Sequence, residues 1–158
     1  MILSKKVRLL PTIEQEDKMW KAVGTARFIY NWALKRQEEN YNSGGKFIND
    51  NELRKEITQL KKTSEYSWLN DISNNVPKQA VKDSCIAYKR FFSGKSSFPK
   101  FKSKKKSKAS FYNDSFKLKV KNNKSVLIEK IGYIQDCTTN IPIPRPEVFF
   151  SYIPSRIY

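Results

Sequence analysis

Apolar residues in the first ten positions, Ile2, Val7 and Leu9 among them, alternate loosely with polar ones and predict a short strand closed by Pro11. The period then lengthens. Thr12-Ile13-Glu14-Gln15 has the spacing of a capping box, in which the threonine hydroxyl accepts from the Gln15 amide while the Gln15 side chain reaches back. A helix is therefore expected from about Ile13, with Ile13, Trp20, Val23, Arg27, Tyr30 and Leu34 on its inward face. Gly24 leaves open a reading as two helices joined by a turn. Asn42-Ser43-Gly44-Gly45 is loop chemistry and ends the segment.

A second helix fits residues 50–62, where Leu53, Ile57 and Leu60 form one stripe; so short and charged a helix needs a packing partner. Residues 64–73 predict a helical turn that plugs the core with Trp68 and Leu69, and Trp20, Tyr30 and Trp32 are expected in the core as well. Asn75 is placed to cap a third helix, with Pro77 in its first turn. Ala80, Val81, Ser84, Cys85, Tyr88, Phe91 and Phe92 follow helical spacing to Gly94, a natural stop. Residues 96–110 have no period and predict an extended arm, mobile without its ligand. Period two returns in residues 111–120 and 125–129, joined by the turn signal Lys121-Asn122-Asn123-Lys124, and residues 131–134 suit a further strand. Beyond Gln135, Pro142, Pro144, Pro146 and Pro154 argue against a helix or a central strand, and that tail shows no partner in the chain.

Charge changes the picture. Between Tyr88 and Lys130 stand fourteen Lys/Arg and two acids, a net +12 of the +16 carried by all 158 residues. Phe91, Phe92, Phe98, Phe101, Phe111, Tyr112 and Phe116 are threaded through it, which a purely solvating tail would not need. Rings among lysines suit a surface that holds a phosphate backbone and packs or stacks at the same time. The pI near 9.8 points to a polyanion, with nucleic acid ahead of an anionic membrane surface. The chain has no histidine, and its two cysteines, Cys85 and Cys137, form no metal pair, so a zinc site of the usual kind lacks ligands and no cofactor is expected. A Ser-His-Asp arrangement is excluded, no phosphate-binding glycine loop appears, and no apolar run is long enough to span a membrane. A reduced, cytoplasmic protein is the expectation.

The candidate nucleic-acid contacts follow from position. Lys95, Lys100, Lys102, Lys104, Lys105, Lys106 and Lys108 belong to the arm; Phe98 and Phe101 either stack on bases or dock the arm on the helices; Phe111 and Tyr112 open the strands beyond it. Lys82, Lys89 and Arg90 share the third helix and suit phosphates. Arg27 and Asn31 lie one turn apart and face the same way, toward nucleic acid or toward neighbouring acids and a local turn. Gln79, in the first turn of the third helix, has the two-pronged amide that pairs with an adenine edge. Cys85, on an apolar helix face, reads as an inert buried thiol.

Five stretches in order carry a resemblance: KVRLLPTIEQEDKMW, GTARFIYNWALKRQEENY, VPKQAVKDSCIAYKRFFSGKSSFPKFKSKKK, SFYNDSFKLKV and IEKIGYIQ. Together they resemble the N-terminal part of the TnpB/OrfB family of transposon-encoded RNA-guided nucleases, over about residues 1–135. The resemblance implies an α+β fold with a helical lobe inserted between the strands of a small, incomplete β-barrel. Its parts would be a first strand (1–10), a helix-turn-helix-like recognition lobe (11–95), the basic arm (96–110), further barrel strands (111–135) and a divergent Pro-rich tail (136–158). It implies DNA and a structured guide RNA as partners, no membrane, nucleoid association when bound, a DNA-reading role for the region of Gln79, and a nucleic-acid role for the RFIYNWA motif with Arg27 and Asn31. An unfinished barrel also leaves strand edges that invite self-association. The family's nuclease part holds metal through separated acids followed by a cysteine zinc motif; after Gln135 this chain has only Asp136 and Glu147. The expectation is thus a truncated, non-catalytic nucleic-acid-binding protein of a mobile element. The alternatives are a transposition enzyme whose partner chain supplies the catalytic groups, or an inactive decayed copy.

Overall fold

A computed structural model describes residues 7–121, 124–136 and 147–151. The elements run β1 (Leu9–Leu10), α1 (Ile13–Asn42), α2 (Asp50–Leu60), a 3-10 turn (Ser67–Asp71), α3 (Asn75–Phe92), β2 (Ser110–Asp114), a second 3-10 turn (Ser115–Lys117), β3 (Lys119–Lys121), β4 (Ser125–Ile128), β5 (Gly132–Asp136) and β6 (Glu147–Ser151). The architecture is α+β. Strands β1, β5, β4 and β3 form one open antiparallel sheet in that order, and β2 pairs with β6 in a separate two-stranded ribbon. A closed barrel is absent among the described residues, and β1 and β3 remain as sheet edges. Pairing of Leu9 with Asp136 and Leu10 with Gln135 brings the start of the chain beside the last strand of the sheet.

The capping box forms as read: Thr12 Oγ1 accepts from the Gln15 amide at 3.3 Å, and Gln15 Oε1 accepts from the Thr12 amide at 3.0 Å. The Gln15 Nε2 also donates to the carbonyl of Tyr133 at 2.7 Å, tying the start of α1 to β5. Helix α1 then runs unbroken for 30 residues. The break allowed at Gly24 does not occur; an interior helical glycine costs only about 1 kcal/mol relative to alanine, and the packing below offsets it. The inward face differs from expectation. Ile13 is 88% exposed and Trp20 is on the outer side, whereas Met19, Ala22, Val23, Ile29, Tyr30, Ala33 and Leu34 are buried.

Two cores result. Ile29, Tyr30, Ala33 and Leu34 of α1 meet Leu53 and Ile57 of α2 and Ala80, Val81, Cys85 and Tyr88 of α3, with Leu69 fully buried between them. Trp68, expected as a plug, is instead half outside, edge-on to Phe28 at 5.6 Å. The second core joins Met19, Ala22 and Val23 to Val76 and to Phe111, Val126, Ile128 and Ile134 of the strands. Asn75 does not cap α3. It is the first helical residue, and Ser73 Oγ accepts from its amide at 3.3 Å. Ser73 Oγ and Asn75 Nδ2 both donate to Glu129 Oε2, at 2.5 and 3.2 Å, so α3 is pinned to the turn after β4.

The expected strand over 111–120 is interrupted. Asp114 Oδ1 accepts from the Phe116 amide at 3.2 Å, and this local turn redirects the chain between β2 and β3. The hairpin of β3 and β4 pairs Lys121 with Ser125; Asn122 and Asn123 lie outside the described residues, as do Cys137 and the four tail prolines. The tail does have a partner: the Glu147–Ser151 backbone pairs with β2. Because Leu69 is fully buried, Leu69→Ala should lower unfolding free energy by about 2–5 kcal/mol. Thr12→Ala should cost about 0.5–2 kcal/mol through the lost cap; urea titration followed by circular dichroism measures both.

Candidate nucleic-acid interface

The arm between α3 and β2 begins where Gly94, at a φ of 70°, ends the helix; few side chains tolerate that left-handed backbone. It lacks regular structure, as expected, but it is anchored. Asn31 on α1 reaches it with both prongs of its amide: Nδ2 donates to the Lys102 carbonyl, and the Lys102 amide donates to Oδ1, each at 2.8 Å. Beside this clamp the Lys102 ammonium sits 4.0 Å from the centre of the Tyr30 ring. Lys102 is exposed as a whole residue, yet burial of its ammonium draws the pKa below the usual 10.5, against a smaller opposing pull from Asp83. Burial, then Asp83, pushes the Tyr30 hydroxyl above its usual value. Asp83 also accepts from Gln79 Nε2 at 2.8 Å. Tyr30, Asn31, Gln79, Asp83 and Lys102 therefore gather where the arm crosses the seam of α1 and α3.

Further up the arm, Phe98 is edge-on to Tyr88 at 5.7 Å and to Phe91 at 5.3 Å. Of the two readings for Phe98, docking is what the structure shows, although half of the ring stays exposed. Phe101 is 59% exposed. Lys95, Lys100, Lys104, Lys105, Lys106 and Lys108 all face solvent, as do Lys82, Lys89 and Arg90 on α3. Lys78, which the sequence alone does not single out, joins these three on the outer arc of the same helix. Arg27 and Tyr112 are half-buried. Phe111 is a correction: at 4% exposure it is a residue of the second core, not a surface contact, because inward positions of β2 alternate with outward ones. Asp83 and Tyr30 do not stand out in the sequence as partners of the arm, since contacts with Lys102 from two different helices leave no periodic trace. Among the described residues no group of three or more His, Cys, Asp or Glu converges to hold a metal, and no helix is long and apolar enough to cross a membrane.

Fold and charge define a basic α+β module, and its residues 1–46 match the OrfB_IS605 family model, which is described as a helix-turn-helix domain. Over that match the structure holds β1, α1 and the start of the turn that leads to α2. InsQ of Escherichia coli (strain K12), which bears the name of an RNA-guided DNA endonuclease, is 33% identical over 130 residues, 82% of this chain and 32% of InsQ. A Streptomyces pristinaespiralis protein with the same description is 31% identical over 105 residues, 66% of this chain and 26% of its own length. Most of the chain is thus similar to the first part of these relatives, and it spans about a quarter to a third of their length.

Asn31→Ala should free the arm. Two lost hydrogen bonds correspond to about 1–3 kcal/mol of docking, read as faster amide exchange and faster tryptic cutting across residues 98–106 with a nearly unchanged global unfolding midpoint. The docked Lys102 holds its proton less tightly than the released one, so docking should strengthen as pH rises toward 10.5. Lysine-detected NMR should find its pKa moving back toward 10.5 in Asn31→Ala.

Proposed function

We propose that this chain is the nucleic-acid-holding module of a TnpB-type mobile-element protein and has no nuclease activity of its own. The observation that carries the reading is the arm clamped by Asn31 across the helices with its lysines outward. A free polybasic loop would have to be ordered when it binds; a seated one offers phosphates a track that is already in place. In this reading α1, α2 and α3 form a recognition lobe inserted between β1 and the later strands. Lys82, Lys89 and Arg90 extend the track along α3. Gln79, its Nε2 held by Asp83, presents its remaining oxygen toward a base edge. Asn31 acts through the backbone of Lys102 and so positions the track, and Arg27 lies one turn before it on α1.

Relatives named as RNA-guided DNA endonucleases support RNA and DNA as the two ligands, the guide pairing with its target while protein holds backbones. The carboxylates support a non-catalytic role, since those described do not converge and phosphodiester cleavage by two metals needs such a cluster. A second reading, in which a partner chain supplies the catalytic groups, is favoured by the sheet edges that β1 and β3 form among the described residues. Bound to nucleic acid, the protein would follow the nucleoid.

Exchanging Lys100, Lys104, Lys105, Lys106 and Lys108 for glutamine should weaken RNA and DNA binding more than tenfold at low salt. It should also lower the slope of log affinity against log salt by as much as about 3.5 for a single strand. Gel shifts at a series of salt concentrations measure both, and undiminished retention by the neutralised arm would overturn the reading. Added magnesium should produce no cutting of guide-complementary DNA by this chain alone; cutting would refute the non-catalytic assignment.

A further inference from the structure

Where α1 ends, the following loop returns and α3 gives way to the arm, six rings surround a groove of about 310 Å³: Tyr41, Phe47, Tyr88, Phe91, Phe92 and Phe98. Docking of the arm explains only part of it, through the Phe98 contacts. A satellite core would hide its rings, but Tyr41 stays 76% exposed, Phe92 62%, Phe98 50% and Phe47 37%. Contiguous apolar surface of this kind on a folded chain marks a binding site. The rings are also fixed in direction. Phe47 stands at 90° to Phe92 at 6.1 Å, and Phe98 at 82° to Phe91, so edge-to-face packing sets the planes of the exposed faces before any ligand arrives.

Size and charge narrow the occupant. The volume lies at the lower end of ligand clefts, enough for one flat ring system and too little for a packed helix. Lys46 lines the groove, and exposed Lys89, Arg90, Lys95 and Lys100 adjoin or flank its rings in sequence, against the single lining carboxylate of Glu38. A second copy of a chain carrying +16 would be repelled there, whereas a polyanion would be drawn in. We infer that this groove is a stacking seat for an unpaired nucleobase, with the phosphates on either side of that base held by the flanking cations. Duplex bases cannot enter without unstacking, so the seat selects single strands. The inference rests on the nucleic-acid reading above and adds a base-binding site to a module otherwise built for backbones.

The test uses the whole chain, with short RNA and DNA strands of mixed sequence, the same strands carrying abasic linkers, and duplex DNA, all followed by fluorescence anisotropy. Phe47→Ala/Phe92→Ala should bind single strands about 5- to 150-fold more weakly, the usual range for a lost base–aromatic stack, while duplex binding and the salt slope hold. The unaltered chain should bind abasic strands as weakly as the variant binds intact ones, and Phe92→Trp should retain affinity. Comparing RNA with DNA tells which strand supplies the base. If melting shows that the double variant has lost its fold, Phe92→Ala alone carries the comparison. Equal affinity of variant and unaltered chain for intact strands would overturn the seat, and binding that still falls on arm neutralisation would leave the backbone reading standing. A concentration-dependent dimer in sedimentation, lost in the variant with strand affinity intact, would also overturn it, by making the groove a self-contact.

Discussion

The packing of α1 against α3 is the interaction on which the rest depends. Ile29, Tyr30, Ala33 and Leu34 are buried against Ala80, Val81, Cys85 and Tyr88, and the Tyr88 hydroxyl donates to the Leu34 carbonyl at 3.3 Å. The seam they form is the surface the arm crosses, and its far end opens into the ring-lined groove. A chain with so large a like-signed charge is under constant self-repulsion in its compact form. Here the burden falls on the outer arc of α3 and on the arm, both facing water, while the shared apolar faces stay nearly free of charge.

The second core solves a different problem. Two short strands and a sparse hairpin have little stability alone, and a sheet of four short strands needs a covering layer. The N-terminal half of α1 provides it, with Met19, Ala22 and Val23 against Val126, Ile128 and Ile134. Three polar ties hold the layers in register: Gln15 to the Tyr133 carbonyl, and Ser73 and Asn75 to Glu129. One helix therefore serves both cores, which is why it runs through Gly24 without a break.

Local chemistry was readable in the sequence. The Thr12 capping box, the Gly94 stop, the hairpin of β3 and β4 and the strand after Gly132 each depend on a few neighbouring residues, and each stands where the spacing put it. Large apolar side chains do not all turn inward: Ile13, Trp20 and Trp68 lie at or near the surface, while Met19, Ala22, Val23, Ile29 and Ala33 are buried. Residue type alone does not separate a capping asparagine from one inside the first turn, and Asn75 is the latter, its amide held by Ser73. The pairing of β2 with β6 and the clamp on Lys102 are illegible for a common reason: both take hold of distant backbone groups, which leaves no mark on the side chains of the segment held. The cationic surface was visible in composition; its seating was not.

Helix α1 carries two amide side chains that treat unstructured segments alike. Asn31 takes both backbone groups of Lys102, and Gln37 takes both of Ile48, donating to its carbonyl at 2.6 Å and accepting from its amide at 3.0 Å. Each is a one-residue imitation of a sheet bridge, made by a helix. Such a grip reads position along the chain and is blind to the side chain gripped. Side-chain packing, of Lys102 on Tyr30 and of Ile48 in the core, adds to the grip without setting it, and a single insertion or deletion between anchor and helix would shift every lysine along the track by a full step.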